Sequence, residues 1–250
     1  ELARIINGEH YCRNIVTLVR ECVNEVMSEA PKIKQRDPET LGSVMRGLVL
    51  SGAAISLYGD SRPASGAEHH MSHYWETILE QRGIRPAMHG EQVAVGTVLV
   101  LMLIEELLKE DVDFAAAREL ARAYDYEAWG QEIRAHYGIA ADEVIAMEQK
   151  AGKNAVPGRL RRIDSMEKNW DAVRAQLMTL PSSSSLRSLL RDIGCPCTPA
   201  EIGVDDALLM DTFRYCKEIR ARYTVFQTVF DLGLTDKLAA RVIDRVNSLD

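Results

Sequence analysis

The chain has 250 residues, 46% hydrophobic and 27% charged, with a formal net charge of −7. That is an ordinary globular balance with enough core for one large domain or two small ones. The acidic surplus excludes a general nucleic-acid surface, which needs clustered Lys and Arg against phosphate. Five cysteines form no small-domain spacing framework and fit reduced thiols in a cytoplasmic protein. Cys195 and Cys197 make a lone C-P-C, two ligands short of a zinc site. No signal peptide is evident. The apolar stretch Val93 to Ile104 falls short of the roughly 20 residues that span a bilayer, so it reads as a buried helix and no membrane span is expected.

In chain order the pattern is helical throughout. His10 to Glu29 repeats apolar residues at helical spacing and stops before Pro31, and Pro31 to Arg36 is a polar connection. Asp37-Pro38-Glu39 is a strong helix start, with Asp as cap and Pro in the first turn. That helix runs to Tyr58, and Gly47, Gly52, Ala53 and Ala54 mark close approach of another helix. Gly59 to Pro63 turns into a helix from Ala64 to Gln81, and after a break at Gly83 to Pro86 the next runs from Met88 to Lys109. Shorter helices are expected over Phe114 to Tyr124, Tyr126 to His136 and Asp142 to Lys150, then one long amphipathic helix from Arg159 to Leu180. Ser182 to Ser185 cap a helix from Leu186 to Ile193. Thr198-Pro199-Ala200-Glu201 is a capping box, with two or three helices beyond it. Strand alternation is scarce and no G-x-G-x-x-G turn occurs, so the fold class is all-α with roughly ten helices.

The chemistry is concentrated in Ser65 to Glu76 and Met88 to Thr97. Four of the six histidines, His69, His70, His73 and His89, fall there. Histidine is the commonest metal ligand. In a helix from Ala64 to Gln81, His69, His73 and Glu76 share one face within roughly ±40°. Met71, Tyr74, Trp75 and Ile78 occupy the opposite face and are expected in the core. The alternative is an exposed His69 and a His89 bonded to backbone at a helix start. His73, one turn after His69, could chelate with it. His70 reads as a flank residue, and Glu76 as either an imidazole-orienting carboxylate or a surface Glu. Ser61 and Arg62 could meet a substrate phosphate, since a guanidinium fork matches phosphate oxygens, or Arg62 could only tether its turn by a salt bridge. Glu91 suits the helix dipole. Arg159, Arg161, Arg162 and Lys168 read as a solvated helix face.

The block GDSRPASGAEHHMSHYWE followed by HGEQVAVGT resembles the C-terminal half of the sn-glycerol-1-phosphate dehydrogenases, within the superfamily of iron-type alcohol dehydrogenases, glycerol dehydrogenases and dehydroquinate synthases. The likeness extends more weakly to TPAEIG and KEIRARYT. It implies that residues 1–250 form a helical metal- and substrate-binding domain of the dehydroquinate synthase type. His69 and His89 would bind a divalent metal (Zn, Ni or Fe). In the dehydroquinate synthase branch the residue matching His73 lies beside the substrate, so His73 is expected outside the ligand set, in substrate bonding or proton relay, with His70 farther off. The family's third ligand, an aspartate, lies upstream. Because the chain opens inside a helical pattern at ELARII, it is expected to be a fragment without the N-terminal Rossmann-like domain that binds most of NAD(P), and to be inactive alone. The implied activity is NAD(P)H-linked reduction of dihydroxyacetone phosphate to sn-glycerol 1-phosphate. The implied partner is a small phosphorylated substrate, and a homodimer is compatible. Two rivals stand: a dehydroquinate synthase-like lyase, and a non-catalytic helical interaction domain.

Overall fold

Asp37 and Pro38 show how local chemistry sets the elements. Asp37 is non-helical (φ −59°, ψ 135°), its carboxylate accepts from the Thr40 amide at 2.9 Å, and Pro38 takes the first helical position. A computed structural model describes residues 1–248. Among them are fourteen α-helices and no strand. The first five are α1 (Leu2–Asn7), α2 (Arg13–Glu29), α3 (Pro38–Tyr58), α4 (Ala67–Gln81) and α5 (His89–Leu108). Then come α6 (Phe114–Arg122), α7 (Tyr126–Tyr137), α8 (Ala141–Ala151), α9 (Val156–Lys168) and α10 (Trp170–Leu177). The last are α11 (Ser183–Ile193), α12 (Asp206–Tyr215), α13 (Val225–Asp231) and α14 (Thr235–Asn247).

The all-α expectation holds, with more and shorter helices than the roughly ten read from sequence. The core is built around α5, whose Val95, Leu99, Leu103 and Leu107 are buried and which is wrapped by α4, α11 and α14. The apolar face of α4 is buried as expected: Met71, Tyr74, Trp75 and Ile78 all pack inward. Trp75 donates through Nε1 to the Thr212 hydroxyl of α12 at 2.8 Å, so its one polar atom is satisfied. Burying this face turns the opposite one, with His69, His73 and Glu76, outward.

Several expectations are corrected. The helix expected from Arg159 to Leu180 breaks at Asn169 (φ −116°, ψ 20°), whose side chain bonds the Ser165 carbonyl at 2.8 Å. An Asn that satisfies its own backbone competes with helix continuation. The break also sets Trp170 edge-on against Phe114. Arg159 and Arg162 are not on a solvated face, although Arg161 and Lys168 are exposed. Both arginines are buried against Asp231 of α13, which accepts from Arg162 Nε at 2.6 Å and Nη2 at 2.9 Å and from Arg159 Nε at 3.3 Å. The Arg159 guanidinium also lies 4.2 Å from the Phe230 ring centroid. Ser182 caps α11 as expected, though that helix starts at Ser183. Glu201 accepts from the Thr198 amide and hydroxyl at 2.8 and 2.9 Å, but the box opens only one 3-10 turn, Ala200–Ile202, which Gly203 ends.

Of the small residues in α3, Gly47 marks a close approach, since a Cβ there would lie 2.8 Å from Val26 Cγ2 of α2, whereas Gly52 faces open space. The helix α3 has the expected bounds but is more apolar than its sequence reading brought out. By length and composition it could cross a membrane, and only 17% of its most apolar 18-residue window is buried. Met45, Leu48, Val49 and Leu57 on it are each more than half exposed. The stretch from Val93 to Ile104, by contrast, lies mostly buried in α5, as expected.

Candidate metal centre

The helices α4 and α5 form a hairpin across residues 82–88, and this brings the imidazoles of His69, His73 and His89 together. Ring centroids are 5.2 Å apart for His69 and His89, 5.5 Å for His73 and His89, and 6.1 Å for His69 and His73. The hairpin can close this tightly because Gly96 of α5 faces the first turn of α4. A Cβ on Gly96 would lie 3.0 Å from the Glu68 carbonyl oxygen.

Each imidazole is tethered through Nδ1. His69 Nδ1 is 2.7 Å from Glu68 Oε1, which also accepts from the Gly66 amide at 2.8 Å. His73 Nδ1 is 3.0 Å from Glu76 Oε2, and His89 Nδ1 is 3.0 Å from Glu76 Oε1. Burial works to raise both carboxyls, but the imidazole bonds, joined at Glu68 by the Gly66 amide, prevail and hold each below the usual carboxylate range. Donor atoms of His73, Glu76 and His89 all lie within 4.8 Å of one another, a spacing that could hold an ion. A cavity of about 530 Å³ beside Glu76 is also lined by Glu80, Arg85, Met88 and Glu91, and by none of the three imidazoles. Glu91 accepts from the Met88 amide at 3.0 Å and caps α5, so its place is fully accounted for by the helix start.

The remaining candidates lie elsewhere. His70 is not a flank residue: it is buried and neither ring nitrogen has a hydrogen-bond partner. It lies one residue round the helix from His69, on a helix against which the segment Cys216–Ile219 packs. Burial, with Lys153 and Arg222 as nearby cations, pushes its imidazole down to about 3, so it is neutral. Ser61 and Arg62 sit in the turn before α4. Arg62 forms an ion pair with Glu9, and the Ser61 hydroxyl accepts from Arg222 Nη2 at 2.9 Å, while Arg222 also pairs with Asp60. The tethering role for Arg62 is therefore realised. A separate cavity of about 510 Å³ is lined by Arg62, Ser65, Gly66, Arg222 and Thr224, and by none of the clustered imidazoles.

Sequence reasoning missed Glu68, Ser72 and Gln92. Ser72 Oγ is 3.1 Å from His89 Nδ1 and donates to Gln92 Oε1 at 3.3 Å, and Gln92 Nε2 donates to the Ala87 carbonyl at 2.7 Å. Ser72 and Gln92 are both buried at the α4–α5 interface. The available signal was that each lies within a motif already singled out, E-H-x-x-S-H and H-G-E-Q.

Three carboxylate-tethered imidazoles at a helix hairpin define a candidate divalent-cation centre in an all-α domain. No family model matches the chain. Homologues of the chain are named glycerol-1-phosphate dehydrogenase, NAD(P)+. The Halalkalibacterium halodurans protein is 21% identical over 225 residues, covering 90% of this chain and 46% of its own length. The Bacillus licheniformis protein is 22% identical over 241 residues, covering 96% and 47%. The Pyrococcus furiosus protein is 40% identical over a shorter 103 residues, covering 41% and 29%. The chain thus spans about half the length of the bacterial relatives it matches.

Proposed function

We propose that residues 1–250 are the C-terminal metal- and substrate-binding domain of an NAD(P)-linked sn-glycerol-1-phosphate dehydrogenase, which reduces dihydroxyacetone phosphate to sn-glycerol 1-phosphate. The observation that carries this reading is the convergence of His69, His73 and His89 at 5.2–6.1 Å in a chain whose homologues carry that enzyme name. A cytoplasmic location accords with it.

Imidazole nitrogens beside carboxylates suit zinc, nickel and iron(II) alike, so the donor set fits a divalent metal without selecting one. His69 and His89 would hold it, with a third ligand from outside this chain. When bound, such an ion supplies Lewis-acid stabilisation of the negative charge that develops on the substrate oxygen. His73, with 29% of its side chain exposed, would orient a substrate hydroxyl or move a proton to it. Arg62 keeps 35% of its side chain exposed and would reach a substrate phosphate on exchanging Glu9 for it, with Ser61 beside it. The nicotinamide cofactor would be held mainly by a Rossmann-like domain outside this chain.

One observation favours a variant ligand set: the donor atoms that cluster within 4.8 Å are those of His73, Glu76 and His89, without His69. The test of the activity is oxidation of NADH or NADPH with dihydroxyacetone phosphate by the protein that joins this chain to a dinucleotide-binding half. Turnover abolished by His89→Ala is expected. A phosphate-eliminating lyase activity in its place, or turnover unaffected by His89→Ala, would overturn the proposal.

A further inference from the structure

The imidazoles of the cluster are held from behind by a directed set of hydrogen bonds, and its members Ser72 and Gln92 have no part in the proposed chemistry. Their direction can be read from the donors available. The Gln92 amide is oriented by its NH₂, which donates to the Ala87 carbonyl at 2.7 Å, so its oxygen faces Ser72. The Ser72 hydroxyl has one proton, and it goes to that oxygen at 3.3 Å. What Ser72 offers to His89 Nδ1, 3.1 Å away, is therefore a lone pair. Glu76 Oε1, 3.0 Å from the same nitrogen, is an ionised carboxylate and also only accepts. Two acceptors face one ring nitrogen, so that nitrogen must carry a proton. The same logic makes His73 an Nδ1–H donor to Glu76 Oε2 and His69 an Nδ1–H donor to Glu68 Oε1, itself fixed by the Gly66 amide.

We propose that Ser72, Gln92 and Glu76 form a positioning relay that fixes His89 as its Nδ1–H tautomer and leaves Nε2 as the atom offered to an ion, with Glu68 doing the same for His69. Binding through Nε2 while Nδ1–H is anchored by a carboxylate is how protein imidazoles are oriented and made more basic toward metals. Neither Ser72 nor Gln92 can turn to water, because both are buried between α4 and α5. The relay therefore begins at a main-chain carbonyl and ends at a ligand atom. Glu76 adds coupling, since one carboxylate serves two imidazoles and anything that moves one oxygen disturbs both rings. The use made of Nε2 rests on the metal reading above, whereas the tautomers do not.

The experiment is long-range ¹H–¹⁵N correlation with ¹⁵N-histidine on the metal-free protein that joins this chain to a dinucleotide-binding half, at about pH 8, where ordinary imidazoles are neutral. Resonances are assigned with single His→Gln variants. In the unsubstituted chain His69, His73 and His89 should all show the Nδ1–H signature. In Glu76→Gln the amide can accept from only one ring and presents its NH₂ to the other, so His73 or His89 should switch to Nε2–H while His69 is unchanged. Adding Ser72→Ala should raise the Nε2–H fraction at His89. Zinc affinity of the Glu76→Gln chain should fall about 10- to 100-fold. An Nε2–H signature at His89 in the unsubstituted chain would overturn the relay, as would tautomers indifferent to Glu76→Gln. Correct tautomers in a joined protein that takes up no zinc would leave the relay standing and defeat the metal reading instead.

Discussion

Gly96 of α5 faces the main chain of Glu68 in α4, and a single added methyl would lie 3.0 Å from the Glu68 carbonyl oxygen and 3.4 Å from its Cα. Backbone at a helix start cannot yield as a flexible side chain does. Gly96 therefore sets the spacing between the two helices, and with it the distance between His69 and His89.

Gly96→Ala should consequently cost about 1–3 kcal/mol of stability, the usual range for overpacking a close contact. It should also weaken zinc binding, although no donor atom is touched. Thermal unfolding and zinc titration of the same variant check both halves. A variant as stable and as metal-avid as the parent would mean that the hairpin does not set the centre.

The buried polar cluster near the C-terminus should govern acid stability. Lys217 and Lys153 both pair with Glu218, and all three are buried. Burial alone would raise the Glu218 carboxyl, but the two ammonium groups prevail and hold it down to about 2. A carboxyl depressed below its ordinary 4.5 contributes stability that is complete above pH 4.5 and is lost as pH falls toward about 2. Denaturant unfolding followed across that window should show this slope. Glu218→Gln should flatten it, while costing about 3–5 kcal/mol at neutral pH by leaving two buried cations short of a partner. An unchanged acid slope would contradict this account.

Exposure separates the two longest apolar helices. Leu103 of α5 is wholly buried, whereas Leu48 of α3 is 63% exposed. Leu103→Ala should cost about 2–5 kcal/mol and Leu48→Ala within about 0.5 kcal/mol, as judged by urea midpoints at constant slope. Comparable losses would show that the outer face of α3 is packed in solution.

Much of the cluster was legible because it depends on local period. The 3.6-residue repeat places His69, His73 and Glu76 on one side of α4 and Met71, Tyr74, Trp75 and Ile78 on the other, whatever surrounds the helix. What was not legible depends on distant partners. Arg159 and Arg162 look solvated until Asp231, some seventy residues later, is brought beneath them. His70 is buried on a helix against which the distant segment Cys216–Ile219 packs. The break at Asn169 was hidden by an apolar repeat that continues through it. Glu68 and Ser72 passed unremarked because their roles become visible only once Gly66, His89 and Gln92 are seen to meet them.

The proposed divalent-cation centre has His69 and His89 as its ligands, with His73 beside them. Zinc titration calorimetry of the protein that joins this chain to a dinucleotide-binding half, alongside its His69→Ala, His73→Ala and His89→Ala variants, tests that assignment. One zinc per chain is expected, lost or greatly weakened in His69→Ala and His89→Ala and weakened less in His73→Ala. Loss in His73→Ala and His89→Ala with His69→Ala unaffected would contradict that ligand assignment in favour of the set with Glu76. Zinc uptake indifferent to all three would contradict the centre itself.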